Sequence, residues 1–303
     1  MCGLVGLLVK KPALYDTLGA LMVPMLIGMT ERGPESAGLA VFTNGAKKGE
    51  LKYNLWANTT DFNYWAGLEN DFNQHLGSKV RLSTKGNHAI LISHLETEVV
   101  RTWIGEHFPG VHILSVGHNL DVYKDIGTPA QVVERYDLGK LKGSHLIGHT
   151  RMATESAVTP AHAHPFTAGT DFCLAHNGTI SNPFSVRRKL EHFGIHFDTD
   201  NDTEAACRFI EWCMRSGDDL ETAIKKCFEE LDGFYTFLMG TRDKLALVRD
   251  PFACKPAVVA ETDDYVAIAS EFRSLAQLPD IKNASLFEPV PEQLYVWTVE
   301  GKE

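Results

Sequence analysis

Chemistry is most readily placed at the second residue of the chain, Cys2 in Met1-Cys2-Gly3-Leu4-Val5-Gly6. A residue this small lets an initiator methionine be trimmed, which would leave cysteine as the mature N-terminus. One residue would then carry a thiol nucleophile and a free α-amine with an ordinary pKa of roughly 7.7–8.0. Nucleophile and base would come together, as they do in N-terminal threonine enzymes. Taken alone, Met-Cys-Gly reads more simply as the start of a buried strand. The thiol matters only if the rest of the chain supplies an oxyanion hole and a grip on the substrate.

Candidates for both are present. Arg151 closes Gly148-His149-Thr150-Arg151, and a strand-end arginine can clamp a carboxylate through two parallel hydrogen bonds; the plainer alternative is a surface salt bridge. Asn177-Gly178 follows an apolar run. An asparagine amide beside a glycine N–H can hold an oxyanion, although Asn-Gly is also a common hairpin turn. Asp202, in Asn201-Asp202-Thr203-Glu204, can bind an ammonium group, and either Asn201 or Asp202 can cap a helix. His162 and His164 form an H-x-H pair without further ligands at zinc spacing, so no metal is expected. No phosphate-binding glycine loop occurs.

The elements that must position these residues are partly legible. Residues 2–9 read as a strand buried on both faces, residues 13–32 as a helix that Pro24 should kink or divide, and Ser36–Phe42 as a strand. Residues 43–144 differ in texture and read as an insertion within the main domain, with a helix over 90–103 and a strand over 111–116. Its aromatics (Trp56, Tyr64, Trp65, Phe72, Trp103 and Phe108) could dock a partner or form a small core of its own. Strands follow at 145–151 and 172–175. Helices follow from Pro183, with Asn182 as N-cap, and over 202–214 and 220–231. The remainder reads as strands, giving an α+β class.

The 303 residues include 29 basic and 39 acidic side chains, a net charge of −10. That balance argues against nucleic acid or an anionic membrane as partner. The most apolar stretch, residues 14–29, contains Asp16, Gly19, Pro24 and Gly28 and falls short of the ~20 apolar residues a membrane span needs. No basic region precedes the apolar start, so no signal peptide is expected. The six cysteines include no C-x-x-C pair and read as reduced thiols of a cytoplasmic protein.

Cys2-Gly3, Arg32-Gly33-Pro34-Glu35-Ser36-Ala37-Gly38, Gly148-His149-Thr150-Arg151, His164-Pro165, His176-Asn177-Gly178 and Asp202-Thr203-Glu204 occur in that order. This series resembles the class II glutamine amidotransferases, which are N-terminal nucleophile hydrolases. The resemblance implies a four-layer αββα sandwich in a single domain over residues 2–303. It implies that Cys2 attacks the glutamine side-chain amide to form a γ-glutamyl thioester, with its own α-amine shuttling the proton. Asn177 and Gly178 would hold the oxyanion, Arg151 the α-carboxylate, and Asp202, helped by Gly178, the α-ammonium. Thr154 would lie in the substrate loop. That loop departs from the family pattern, with Met152 where an aromatic residue is common and Glu155-Ser156 in its continuation.

Longer stretches are similar to the free-standing amidotransferase component of glutamate-synthase-like systems, the N-methylglutamate synthase (methylamine–glutamate N-methyltransferase) group. That similarity implies a synthase partner in trans. No cofactor is expected in this chain, and any FMN or iron–sulfur group would belong to the partner. Two other readings stay open, a γ-glutamyl amide hydrolase without a partner and a non-catalytic glutamine-binding regulatory subunit. Retention of the thiol speaks against the latter.

Overall fold

The computed structural model describes residues 2–43, 45–152 and 158–299. In chain order the elements are β1 (Gly3–Val9), a 3-10 turn (Pro12–Thr17), α1 (Leu18–Ile27), β2 (Ser36–Phe42), β3 (Leu51–Ala57), α2 (Phe62–Leu76), β4 (Arg81–Lys85), β5 (His88–Ser93), α3 (Thr97–His107) and β6 (Val111–Gly117). Then come β7 (Leu120–Ile126), α4 (Pro129–Arg135), β8 (His145–Arg151), β9 (Phe166–Ala168), β10 (Phe172–Ile180), α5 (Pro183–Glu191), α6 (Asp202–Arg215) and α7 (Leu220–Glu230). The chain continues through β11 (Gly233–Gly240), β12 (Lys244–Arg249), β13 (Val258–Glu261), β14 (Tyr265–Ala269), β15 (Ser285–Phe287) and β16 (Tyr295–Thr298).

Two antiparallel sheets form the body. One has seven strands in the order β15-β13-β14-β1-β8-β2-β7, the other five in the order β16-β12-β11-β10-β9. Side-chain alternation sorts each strand between two cores. On β1, Leu4 and Leu8 point to the interface between the sheets, where they meet Cys173, Ala175, Leu238 and Leu247 of the second sheet. Val5, Leu7 and Val9 point the other way, against Met22, Met25 and Leu26 of α1. The outer face of the second sheet packs on α5, α6 and α7 through Leu174, Phe237, Leu190, Phe209 and Ile224. Three apolar layers between helix, sheet, sheet and helix make a four-layer αββα sandwich.

A third sheet, β4-β5-β3-β6, forms a lobe with α2 and α3. Within the range 43–144 expected as an insertion, this separate sheet occupies only Leu51 to Gly117. β7 pairs with β2 along its whole length, and α4 packs against the core under α1. The helix expected over 90–103 is present only in its second half, within α3. His88–Ser93 is a strand, because its β-branched alternation pairs with β3 on one side and β4 on the other. The helical pattern begins only at Thr97. Trp65, Phe72 and Trp103 fill the lobe's own core, with Tyr64 and Phe108 packed on it, so these rings are not a docking face. Trp56 tilts against His112 with ring centroids 5.5 Å apart. Pro24 does not divide α1, which continues through it, and Ala20, whose carbonyl loses its helical donor there, faces solvent. Asn182 stands at the N-cap of α5, but its side chain bonds the Glu230 carbonyl and the Asp232 N–H instead of capping.

A carboxylate of the body is among the groups that fasten the lobe to it. Asp171, just ahead of β10, accepts from the N–H groups of His118, Asn119 and Leu120 at 2.9, 2.9 and 3.0 Å. Gly117 lies so close to that carboxylate that a Cβ would overlap it. Asn54 of β3 adds a second tie, accepting from Val122 N–H at 3.1 Å and donating to the Leu120 carbonyl at 2.8 Å. Asp171→Ala would leave consecutive buried amides without an acceptor, each costing about 1–3 kcal/mol. Chemical denaturation should show a loss of at least about 2 kcal/mol, and Asp171→Asn a smaller one. An unchanged midpoint for the alanine variant would show that water replaces the carboxylate.

Candidate active site

The alternation that builds the inter-sheet core also places the polar residues at one end of it. On β8, Ile147 lies in that core and His149 and Arg151 follow at the same parity. On β10, Cys173 and Ala175 lie in it and Asn177 follows. Cys2 shares the parity of Leu4 and Leu8. The apolar interface thus turns polar where β1 begins and β8 ends.

Register brings these positions together. Gly3 pairs with Thr150, which sets Cys2 across from the end of β8, and the Cys2 thiol reaches the Met152 carbonyl at 3.7 Å. Asn177 donates from Nδ2 to the Cys2 carbonyl at 3.2 Å and to Ser270 Oγ at 3.1 Å. Ser270 Oγ also accepts from the Leu4 N–H at 2.9 Å. Arg32 donates from Nε to the same Cys2 carbonyl at 2.8 Å and pairs with Glu271 at 2.7 Å. His149 Nε2 lies 3.1 Å from the His176 carbonyl and 3.2 Å from Asn177 Oδ1. Both of those oxygens are acceptors, so His149 carries its proton on Nε2. That orients the Asn177 amide, with its NH₂ toward Cys2.

Asn177-Gly178 is not a hairpin. β10 runs on to Ile180, paired with β11 from Cys173↔Gly240 to Ile180↔Gly233. Gly178 has φ +140°, and a Cβ there would strike the Phe234 carbonyl, so the position requires glycine. Asn201, not Asp202, caps α6, accepting from the Thr203 N–H at 2.9 Å. Asp202 is thereby left at the mouth of the site, where its Oδ2 accepts from the Ile180 N–H at 3.0 Å. Arg151 is buried. Burial lowers its pKa from the ordinary guanidinium value, while Cys2, Glu35, Asp202 and Asp200 oppose that shift, so it shares one electrostatic neighbourhood with Cys2 and Asp202.

Cys2, Asn177, Gly178, Arg151 and Asp202 therefore gather at one end of the sandwich. Thr154 and Met1 lie outside the described residues. His162 and His164 diverge: His162 pairs with Asp200 at 2.8 Å and His164 with Thr203 at 2.7 Å. Among the described residues no group of three or more His, Cys, Asp or Glu side chains is arranged to hold a metal, and no helix is long and apolar enough to cross a membrane. Arg32, Ser270, His149 and Thr203 have no role that residue order alone assigns. Arg32 stands in the Arg-Gly-Pro motif, and Ser270 ends a legible strand, but their partners are set by the sheet pairing alone.

The site rests on buried neutral imidazoles. Burial, reinforced by His176, holds the pKa of His149 down to about 3, and burial alone does most of the same at His88, also to about 3. Between about pH 3 and the ordinary imidazole value near 6.5 the unfolded chain binds protons that the folded chain refuses. Stability is therefore greatest above about pH 6.5 and falls on acidification, by up to ~1.4 kcal/mol per pH unit for each such histidine. The thermal midpoint followed by circular dichroism should drop steadily from pH 7 to pH 4. A flat profile would mean that these rings protonate in place.

The chain is similar to several known proteins. The glutamine amidotransferase domain model matches residues 149–277. The chain is 46% identical to the glutamine amidotransferase-like protein GlxB of Rhizobium meliloti, over 98% of each chain. It is 32% identical to a putative glutamine amidotransferase of Methanothermobacter thermautotrophicus, over 97% of this chain and 99% of that one. The fold matches glutamine phosphoribosylpyrophosphate amidotransferase from B. subtilis with a TM-score of 0.62 at 21% identity, covering 99% of this chain and 48% of that chain. The chain thus spans about half the length of that solved relative. With 46% identity to GlxB over nearly the whole of both chains, the chain belongs to the glutamine amidotransferase family, and its αββα layers are the fold it shares with the phosphoribosylpyrophosphate enzyme.

Proposed function

We propose that this chain is a glutaminase subunit. The observation that carries the reading is the Asn177 amide, 3.2 Å from the Cys2 carbonyl across the two sheets, with Arg151 and Asp202 at the same end. Glutamine is a zwitterion with a side-chain amide. Arg151 would take its α-carboxylate and Asp202 its α-ammonium, which aims the amide carbon at the Cys2 sulfur. Sulfur attack forms a C–S bond and pushes the carbonyl electrons onto oxygen. The oxyanion is received by Asn177 Nδ2, trading its long bond to the Cys2 carbonyl, and by the Gly178 N–H. Once Met1 is removed, the Cys2 α-amine carries the thiol proton to the leaving nitrogen, and ammonia departs. Water then cleaves the γ-glutamyl thioester, releasing glutamate and the free thiol.

The nitrogen would pass to a separate glutamate-synthase-like partner, in N-methylglutamate synthesis. That assignment rests on the similarity of the longer sequence stretches to such systems. A γ-glutamyl hydrolase without a partner is the competing reading. Amide-labelled glutamine distinguishes the two: with the partner present the label should enter the acceptor product at the expense of free ammonium. Label found only in ammonium under every partner tested would favour the hydrolase.

Intact-protein mass after treatment with diazo-oxo-norleucine tests the nucleophile. The expected result is loss of Met1 and one adduct, mapped to Cys2 and blocked by excess glutamine. Cys2→Ala should abolish hydrolysis, and Arg151→Ala should raise KM for glutamine by about 10- to 100-fold through loss of a charged hydrogen-bond pair. Labelling spread over other cysteines and indifferent to glutamine would refute the reading.

A further inference from the structure

Behind Asp202 lies a buried hydroxyl with more neighbours than a hydroxyl can serve in more than one way. Thr203 is fully buried at the first turn of α6. Its Oγ1 lies 2.7 Å from His164 Nε2, 2.9 Å from His176 Nδ1 and 3.3 Å from Asp202 Oδ1. A hydroxyl has one hydrogen to give and two lone pairs to fill. An ionised carboxylate can only accept, so the Thr203 hydrogen goes to Asp202. Both lone pairs must then receive N–H bonds, one from each imidazole.

Two tautomers follow, the Nε2–H form at His164 and the Nδ1–H form at His176. The nitrogens left bare are His164 Nδ1 and His176 Nε2, and these are the ring atoms that have no hydrogen-bond partner among the described residues. Any other assignment would bury an N–H without an acceptor, or turn two lone pairs toward each other. The rings are fixed in turn. His164 packs edge-on against His149, with centroids 4.1 Å apart, and His176 edge-on against Phe237 at 5.4 Å. Lys124 holds the segment that carries His164, donating to the Ala161, Ala163 and Pro165 carbonyls at 3.3, 2.9 and 3.4 Å.

We infer that Thr203 is a positioning residue for substrate: two neutral histidines aim its single hydrogen at Asp202 Oδ1, and this holds the carboxylate ready for the substrate's α-ammonium group. The inference rests on the proposed role of Asp202. The carboxylate is anchored at Oδ2 by the Ile180 N–H and at Oδ1 by Thr203, which fixes its plane. Without the hydroxyl it would keep one anchor and could rotate about it.

The test pairs glutamine with glutaramate, which keeps the carboxylate and the amide but lacks the α-ammonium group. Thr203→Val should raise KM for glutamine about tenfold and leave KM for glutaramate within about twofold, while Thr203→Ser restores the glutamine value. A variant that merely loosened the fold would move both substrates together, and that outcome overturns the positioning role. Asp202→Asn is the control for the underlying reading. If it leaves KM for glutamine unchanged, the ammonium site itself is wrong; if it raises KM and Thr203→Val does not, only the relay is wrong. Nitrogen-15 NMR of the wild-type protein gives a readout that needs no variant to fold. It should find His164 protonated at Nε2 and His176 at Nδ1, and either opposite tautomer overturns the inference.

Discussion

Strand β1 is hydrogen-bonded on both edges, to β14 and to β8, and buried on both faces. That double confinement fixes the residue just ahead of it. Cys2 cannot shift without moving a central strand of the seven-stranded sheet. Its carbonyl is held by Arg32 and Asn177, which come from different parts of the chain. Cys2 thus borrows its rigidity from the sheet core and needs no loop of its own to place it. The cost is that many buried polar groups must be satisfied at the open end of the sandwich. They are met there by side chains reaching between the sheets, such as His149 on Asn177.

Much of this was legible from residue order. Ser36–Phe42, His145–Arg151 and Tyr265–Ala269 appear as strands in the sequence because their apolar runs are short, rich in branched residues and bounded by turns. Cys2, Arg151, Asn177, Gly178 and Asp202 are singled out by the order of motifs that resembles the amidotransferases, and the sheet pairing brings them to one end of the sandwich. What failed did so where the answer depends on distant partners. His88–Ser93 continues into a charged stretch that reads as helix, and only pairing with β3 and β4 makes it a strand. β7 looks like its lobe neighbours until β2 claims it. Ser270 and Thr203 are ordinary small polar residues in one dimension, and their roles exist only once the sheets and α6 have met.

The histidines show the same dependence in energetic form. Three imidazoles at the site lose nearly all their water, and burial pushes each pKa down. Neutral rings with fixed tautomers are directional donors whose pattern does not change across physiological pH. Lys124 illustrates the opposite solution to burial: its ammonium is solvated by three backbone carbonyls, with its pKa pushed down to about 8 by desolvation.

The attachment of the lobe bears on how such chains can vary. Lys52 and Gly117 are register partners on β3 and β6, so the polypeptide leaves the body and returns to it through one doorway about 5 Å wide. Loops between those two points that avoid the lobe's core and its Asn54, Asn87 and Leu114 bonds to the body can lengthen or shrink at little more than a loop-closure cost, which grows only as the logarithm of the length. The Cys2 end of the sandwich need not register the change. A fold arranged this way can acquire new recognition surfaces at the lobe while selection on the chemistry stays undisturbed.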